Sequence, residues 1–401
     1  KELFSMKHFK FNIDEILQPQ DWGFPVPIAY GPGRIKEIST FCKNLNIQNP
    51  LIVTDSGSKD LPFIENLKKI LTDANIKSDL FYGISPNPRS DEIADGCSKF
   101  SGGNHDAIIA IGGGSAMDGG KSICLTANND YPLFDFDWEK PAPKITKENQ
   151  FPKLITIPTT AGTGAETEST AMVTDVEQMM KFCICHPELK PSVAILDPEL
   201  TLKLPANLTA WTGVDAMVHA IEGYIVPGFH PLCDGAALES LNLISKSLHL
   251  AVEEPDNLAA RGAMLVASML GGVAFIKGLG LVHAIAHMVG AEYNTHHGLT
   301  NAIILPTVLR YNLPTLEEKV KRMSEAMQYE DSSVATFITN QEKLLDRFNI
   351  PKGLKEIGVP EDCVDRIAEK SMVDTAFGTN PIKADLDDVR KLVIESINKA
   401  R

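Results

Sequence analysis

The sequence predicts an α/β half with a mostly parallel sheet over residues 1–203 and an all-α half over residues 204–401. Three observations carry this reading. Short β-branched runs alternate with helical patterns through the first half, and a glycine-rich turn joins one of those runs to its helix. Beyond about residue 203 the strand signal stops and long Ala- and Leu-rich helical stretches replace it. Alternation of strand and helix implies crossover connections, hence parallel strands covered by helices on both faces.

In chain order, PLIVTD reads as a strand ending at Asp55 and IENLKKILTDA as the helix after it. SDLFYG with DEIADGCSKF, and DAIIAIGGGS with AMDGGKSICLTA, repeat the unit; KLITIPTT and PSVAILDP are a fourth and a fifth strand. The stretch 130–152, containing DFDWEKPAPK, has no clear period and reads as a surface excursion. LPANLTAWTGVDAMVHAIEGY, PLCDGAALESLNLISKSLHLAV and LAARGAMLVASMLGGVAF then read as helices, which puts the boundary near TLKLPAN. KELFS, ahead of a plausible start at Met6, is set aside.

A chain of 401 residues with 43% hydrophobic side chains can fill more than one core. Its net charge of −14 argues against nucleic acid or an anionic membrane as the main partner. No apolar run approaches the ~20 residues of a membrane span, and the N-terminal stretch has no signal-peptide pattern, so a cytoplasmic protein is expected. The seven cysteines are odd in number and scattered, as suits a reducing compartment. Cys183, Cys185 and His186 cluster, but a zinc site needs a second such cluster, and alternation along a strand explains them.

IGGGSAMD, residues 111–118, ends a strand and opens a helix. Glycines there let the backbone approach a pyrophosphate, and the helix N-terminus offers free N–H groups. Ser115 and Asp118 also fit an S-x-x-D capping box. The usual G-x-G-x-x-G fingerprint is absent, and the acidic strand-end residue, Asp55, precedes the loop, so a sheet of different strand order is expected. A second loop, PTTAGTGAE at 158–166, also follows a strand, and two such loops at strand ends of one sheet lead us to expect a dinucleotide cleft.

In TGVDAMVHAIEGY, Val214, Met217, Val218 and Ile221 form a buried helical stripe, yet Asp215 and His219 project from one face of the same helix. Burying both is costly unless they pair or share a third party. GLGLVHAIAHMVGAEYNTHHG repeats the pattern with His283 and His287, followed by His296 and His297. A carboxylate and neutral imidazoles suit Fe2+ or Zn2+, and an open position would make such an ion catalytic.

Taken together, IAYGPGRIKEI, LIVTD, PNP at 86–88, AIGGGSAMDGGK, IPTTAGTGAETE, AILDPELTLKLP, TGVDAMVHAIEGY and the histidine block resemble the iron-containing (group III) alcohol dehydrogenase family, from about Tyr30 to the C-terminal helices. The resemblance implies a dehydroquinate-synthase-like fold, with a dinucleotide-binding α/β domain, a helical metal-binding and substrate domain, and the active site between them. It implies one divalent metal ion per chain, Fe2+ or Zn2+, on Asp215, His219, His283 and His297, with His297 preferred to His296 because the family ligand directly precedes glycine. It implies NAD held by Asp55, Asn87, Gly113, Gly114, Ser115, Asp118, Thr159, Thr160, Thr163, Thr170 and Lys181, Thr170 standing where relatives carry Asn. His287 matches a non-ligand histidine near the nicotinamide, suited to proton relay or substrate positioning. The implied reaction is hydride transfer between a small-molecule alcohol and its aldehyde or ketone, in a homodimer.

Three positions depart from the family pattern. Ala116 replaces a proline, Ala165 replaces a serine, and AFIKGLG is one residue short and carries Lys277. A buried lysine needs a negative partner. That partner is either a protein carboxylate, such as Glu292, or an anionic group on the substrate. The second case makes Lys277 a catalytic-site residue and an acidic polyhydroxy compound, such as 3-deoxy-manno-octulosonate oxidised at C8, the expected substrate. The first leaves a small diol of the lactaldehyde or propanediol type. A dehydroquinate-synthase-like lyase and a metal-dependent hydrolase are the rival readings; the Asp215-x-x-x-His219 pair favours a dehydrogenase.

Overall fold

The computed structural model describes Gln20–Trp22 and residues 26–401; the segment around Met6 lies outside the described residues. Nine strands are found there: β1 (Gln20–Trp22), β2 (Ile28–Tyr30), β3 (Pro50–Asp55), β4 (Asp79–Ile84), β5 (Ala107–Gly112), β6 (Lys153–Pro158), β7 (Thr170–Asp175), β8 (Met180–Cys185) and β9 (Val193–Leu196). Seven of them form one sheet in the order β1-β2-β9-β6-β5-β3-β4. Every pairing in it is parallel except β1 with β2.

The central strand β5, AIIAIG, is buried along its whole length, as a parallel strand covered on both faces must be. Its side chains alternate between two cores: Ile108 and Ala110 pack with Leu51 and Val53, while Ile109 and Ile111 pack with Ile52 and Ile155. The helices that cover these faces in this half are α1 (Ile38–Asn44), α2 (Pro62–Asp73), α3 (Ser90–Gly102) and α4 (Gly114–Thr126). Because β3, β5 and β6 run in register, Asp55 and the loops after Gly112 and Pro158 gather at one edge, where ligands bind in open α/β sheets.

The antiparallel hairpin β7–β8 stands apart from this sheet. Only its second strand was expected, around Cys183 and Cys185; all seven cysteines are free. The 130–152 excursion is irregular and mostly exposed, but Phe136 is buried against Phe151 and His186.

The helical half opens with α5 (Ala206–Ile225), α6 (Pro231–Glu253), α7 (Leu258–Ala274), α8 (Leu281–Tyr293) and α9 (His297–Asn312), and ends with α10 (Glu317–Ala326), α11 (Val334–Arg347), α12 (Val364–Ser371) and α13 (Leu386–Asn398). The expectation that no apolar run approaches a membrane span is corrected here. Leu258–Lys277 is long and apolar enough by composition, but its most apolar stretch is 78% buried, so it is apolar because it sits in the core. The two halves meet through glycine. Gly164 has φ +64°, and a Cβ on it would lie 2.6 Å from the Ser268 carbonyl of α7. A Cβ on Gly162 would strike Thr212 of α5 at 2.7 Å. The loop after β6 is thereby pressed onto the two helices that flank the histidine cluster.

Candidate active site

Asp215 and His219 stand one turn apart on α5, His283 lies in the first turn of α8, and His297 opens α9. One ligating atom from each lies within 4.8 Å of all the others. Asp215 Oδ1 is 4.0 Å from His219 Nε2, 3.9 Å from His283 Nε2 and 3.6 Å from His297 Nε2. Four donors held about 2.0–2.2 Å from a common centre would stand roughly 3.3–3.6 Å apart, so the cluster is close to that spacing.

Each of two imidazoles is anchored through its other nitrogen. His219 Nδ1 faces the Gly162 carbonyl at 3.2 Å, and His283 Nδ1 faces Glu222 Oε2 at 2.6 Å. Both partners are acceptors, so each Nδ1 carries the proton and each Nε2 turns a lone pair into the cluster. His297 Nδ1 is buried without a hydrogen-bond partner; its ring instead stacks on His287, centroids 5.5 Å apart. Burial pushes His219 down to about 4, against the pull of Asp215. Burial also holds His297 well below the ordinary value, helped by Lys181 and the neighbouring imidazoles. Neutral imidazoles around one carboxylate are a donor set that fits a divalent metal ion.

His296 is not in this cluster: its Nδ1 accepts the Leu299 N–H and caps α9. His287 lies one turn after His283, and its Nδ1 donates to Asp374 Oδ2 at 2.9 Å. That leaves Nε2 as the atom able to take a proton.

On the α/β side, Gly113 is the N-cap of α4 and makes no side-chain cap. The S-x-x-D capping box is therefore corrected: the helix starts at Gly114, which puts Ser115 inside the first turn, and neither side chain caps it. The first N–H groups of α4 remain available, as an anionic pyrophosphate requires. Gly114 packs on Thr163, a would-be Cβ lying 2.4 Å from its Cγ2, and Gly113 faces Thr160. Thr159 N–H donates to the Gly112 carbonyl at 2.8 Å, holding the two loops side by side. At the strand end, Asp55 Oδ1 accepts the Gly57 N–H at 3.0 Å and Oδ2 accepts the Ser58 hydroxyl at 2.9 Å.

The hairpin carries Thr170 at its start and Lys181 opposite Thr174. Burial pushes the Lys181 ammonium down to about 8 while Asp118, Asp374 and Asp215 act against it. Asp118 is pushed up to about 6 by burial, opposed by Lys121 and Lys181. Asn87 and Lys181 converge on α8: a Cβ on Gly290 would lie 3.4 Å from Asn87 Oδ1 and 3.5 Å from Lys181 Nζ. Asn87, Lys181 and the donor cluster thus meet on one helix.

Lys277 ends the short turn Phe275–Lys277 that follows α7. Its ammonium bonds Asp234 and the Tyr224 carbonyl at 3.2 Å, and its side chain is only 5% exposed. Lys319 Nζ donates to the same carbonyl at 2.8 Å, so two lysines cap the C-terminus of α5. Of the two partners expected for this buried lysine, the structure supplies a protein carboxylate, Asp234. Glu292 instead pairs with Arg366 and Lys370.

Family models for the two halves match almost all of the described chain: iron-containing alcohol dehydrogenase over residues 25–198 and the Fe-containing alcohol dehydrogenase C-terminal region over 209–397. The chain belongs to the iron-containing alcohol dehydrogenase family. Among its relatives, the NAD-dependent methanol dehydrogenase of Bacillus methanolicus is 34% identical, the match covering 92% of this chain and 97% of the relative. The 1,3-propanediol dehydrogenase of Klebsiella pneumoniae is also 34% identical, over 92% and 96%. Solved structures of a 1,3-propanediol oxidoreductase and of an alcohol dehydrogenase from Oenococcus oeni superpose with a TM-score of 0.86 each, at 33% and 32% identity, covering 92% of this chain and 97% of theirs. As a family member the chain is an alcohol dehydrogenase. The octulosonate substrate finds no support in these relatives.

Three residues of this alcohol dehydrogenase site were missed by sequence reasoning. Glu222 continues the Asp215–His219 stripe by one turn, and Asn301 follows His297 by one turn, so both left a local signal. Asp374 left none, being 87 residues from the histidine it holds.

Proposed function

We propose that this enzyme uses one divalent metal ion, held by Asp215, His219, His283 and His297, and NAD to interconvert a small uncharged primary alcohol or diol and its aldehyde. The observation that carries the reading is the convergence of four neutral or acidic donors beside Lys181 and Asn87 on α8. When bound, the cation supplies Lewis acidity to an alcohol oxygen and NAD supplies the hydride acceptor.

The chain's own residues do the rest. Gly162 and Glu222 hold the proton of His219 and His283 on Nδ1, so that both Nε2 atoms stay unprotonated. His287, held by Asp374, takes a proton at Nε2. Gly113, Gly114 and Ser115 at the start of α4, with Thr159, Thr160 and Thr163, hold the pyrophosphate, and Thr170, Asp118 and Lys181 line the nicotinamide side. Asp55 faces the adenosine ribose, a role compatible with its turn bonds because each carboxylate oxygen has a further acceptor site. A small neutral substrate is favoured because Lys277, the cation that suggested an acid, is neutralised by Asp234.

The test is a substrate panel with NAD+ and Fe2+- or Zn2+-loaded protein: a short alcohol, a three-carbon diol, an ω-hydroxy acid and a sugar acid. NADH should form fastest from the alcohol or the diol. A sugar acid exceeding both in kcat/KM would overturn the substrate class, and product formation without net NADH would overturn the reaction class.

A further inference from the structure

Asn301 follows His297 by one turn of α9 and has no solvent exposure. Its Nδ2 lies 2.7 Å from Asp215 Oδ1, 3.1 Å from His283 Nε2 and 3.1 Å from His297 Nε2. Turning the amide over would set its oxygen 2.7 Å from a carboxylate oxygen, so the NH2 end belongs toward Asp215. The other end is unsatisfied: Oδ1 is buried without a hydrogen-bond partner. A buried amide with an unpaired carbonyl destabilises a fold relative to an apolar side chain of the same shape. The fold therefore gains nothing from this amide except what Nδ2 does.

Imidazole lone pairs committed to a cation can no longer accept an N–H. A carboxylate oxygen can serve a cation and an N–H together. We propose that Asn301 is a positioning residue of the metal site. It donates to Asp215 Oδ1 and closes the buried face bounded by Asp215, His283 and His297. That fixes the orientation of the carboxylate and slows escape of the ion. The inference rests on the metal reading given above.

The probe is Zn2+ alone, titrated into chelator-stripped full-length protein against a chromogenic competitor. Asn301→Leu keeps the branch at Cγ, at somewhat larger volume, and removes the donor. It should raise the Kd for Zn2+ about 10–100-fold, as loss of an outer partner of a metal ligand does. The metal-free variant should lose some Tm because Asp215 loses a donor, but the rise in Tm on adding a fixed concentration of Zn2+ should also shrink, which a merely structural loss would not cause. Asn301→Ala carries the same Kd criterion if the leucine variant does not fold. Binding of Zn2+ by a folded variant within about threefold of the unmutated protein overturns the proposal. Failure of the unmutated protein to bind Zn2+ overturns the metal reading itself, a separate outcome.

Discussion

Glu222 Oε2 lies 2.6 Å from His283 Nδ1, and Oε1 of the same carboxylate accepts the Val282 N–H at 2.8 Å. One buried side chain of α5 thus caps the N-terminus of α8 and fixes the tautomer of the histidine in its first turn. Asp215, His219 and Glu222 form a single stripe on α5, and that stripe organises the site.

Glu222→Gln separates the two jobs. The amide oxygen can still accept the Val282 N–H, but its NH2 would face His283 Nδ1 and drive the imidazole proton to Nε2. Metal affinity should fall about 10–100-fold. Chelator competition measures it, and an unchanged Kd would show that the carboxylate does not set the tautomer.

Asp55 should impose a preference for NAD+ over NADP+, because a carboxylate at the ribose repels a 2′-phosphate. Asp55→Gly should narrow the ratio of the two kcat/KM values about tenfold, the equivalent of about 1.4 kcal/mol. Its turn bonds to Gly57 and Ser58 predict a small loss of Tm as well. A variant with lower Tm and an unmoved cofactor ratio would leave Asp55 as a turn cap only.

Lys277→Met should lower stability by roughly 1–3 kcal/mol, through loss of a charge-assisted bond to Asp234 and of a cap on α5. Its effect on kcat/KM should be the same for a neutral diol and for an ω-hydroxy acid. A loss confined to the acid would return Lys277 to the substrate site.

The buried carboxyls near Lys121 predict a pH effect on stability. Glu166 and Glu168 are each pushed up to about 7 by burial, with Lys121 acting against it. Both are raised above the ordinary value of 4.5, so between there and about 7 the folded state binds more protons than the unfolded state. Their contribution is full below that window and is lost as pH rises through it. Glu166→Gln should flatten this decline. Denaturant unfolding of both proteins from acid to neutral pH measures the difference, and parallel curves would contradict it.

Much of this was legible in the sequence because it was written at short range. The β5 run AIIAIG, the glycine turn after it and the i, i+4 polar pairs on apolar helices each betray themselves within a few residues. What escaped was set by long-range packing. Lys277 reads locally as an unpaired buried cation; only the fold brings Asp234, 43 positions away, against it. Asp374 lies in a short loop with no period, and β7 in a hairpin whose pairing is visible only in three dimensions. Ser115 and Asp118 matched a capping pattern, but glycine at 113 and 114 let the helix begin two residues sooner than the pattern requires.

The most direct test of the four-donor site is a metal titration of stripped protein. NADH formation from a short alcohol should be absent without metal and rise linearly with added Fe2+ to a break at one equivalent per chain. Asp215→Ala should neither retain the ion nor recover the rate. Full turnover by the stripped protein, or one tightly held equivalent and full activity in Asp215→Ala, would contradict the assignment of Asp215, His219, His283 and His297 as the metal centre.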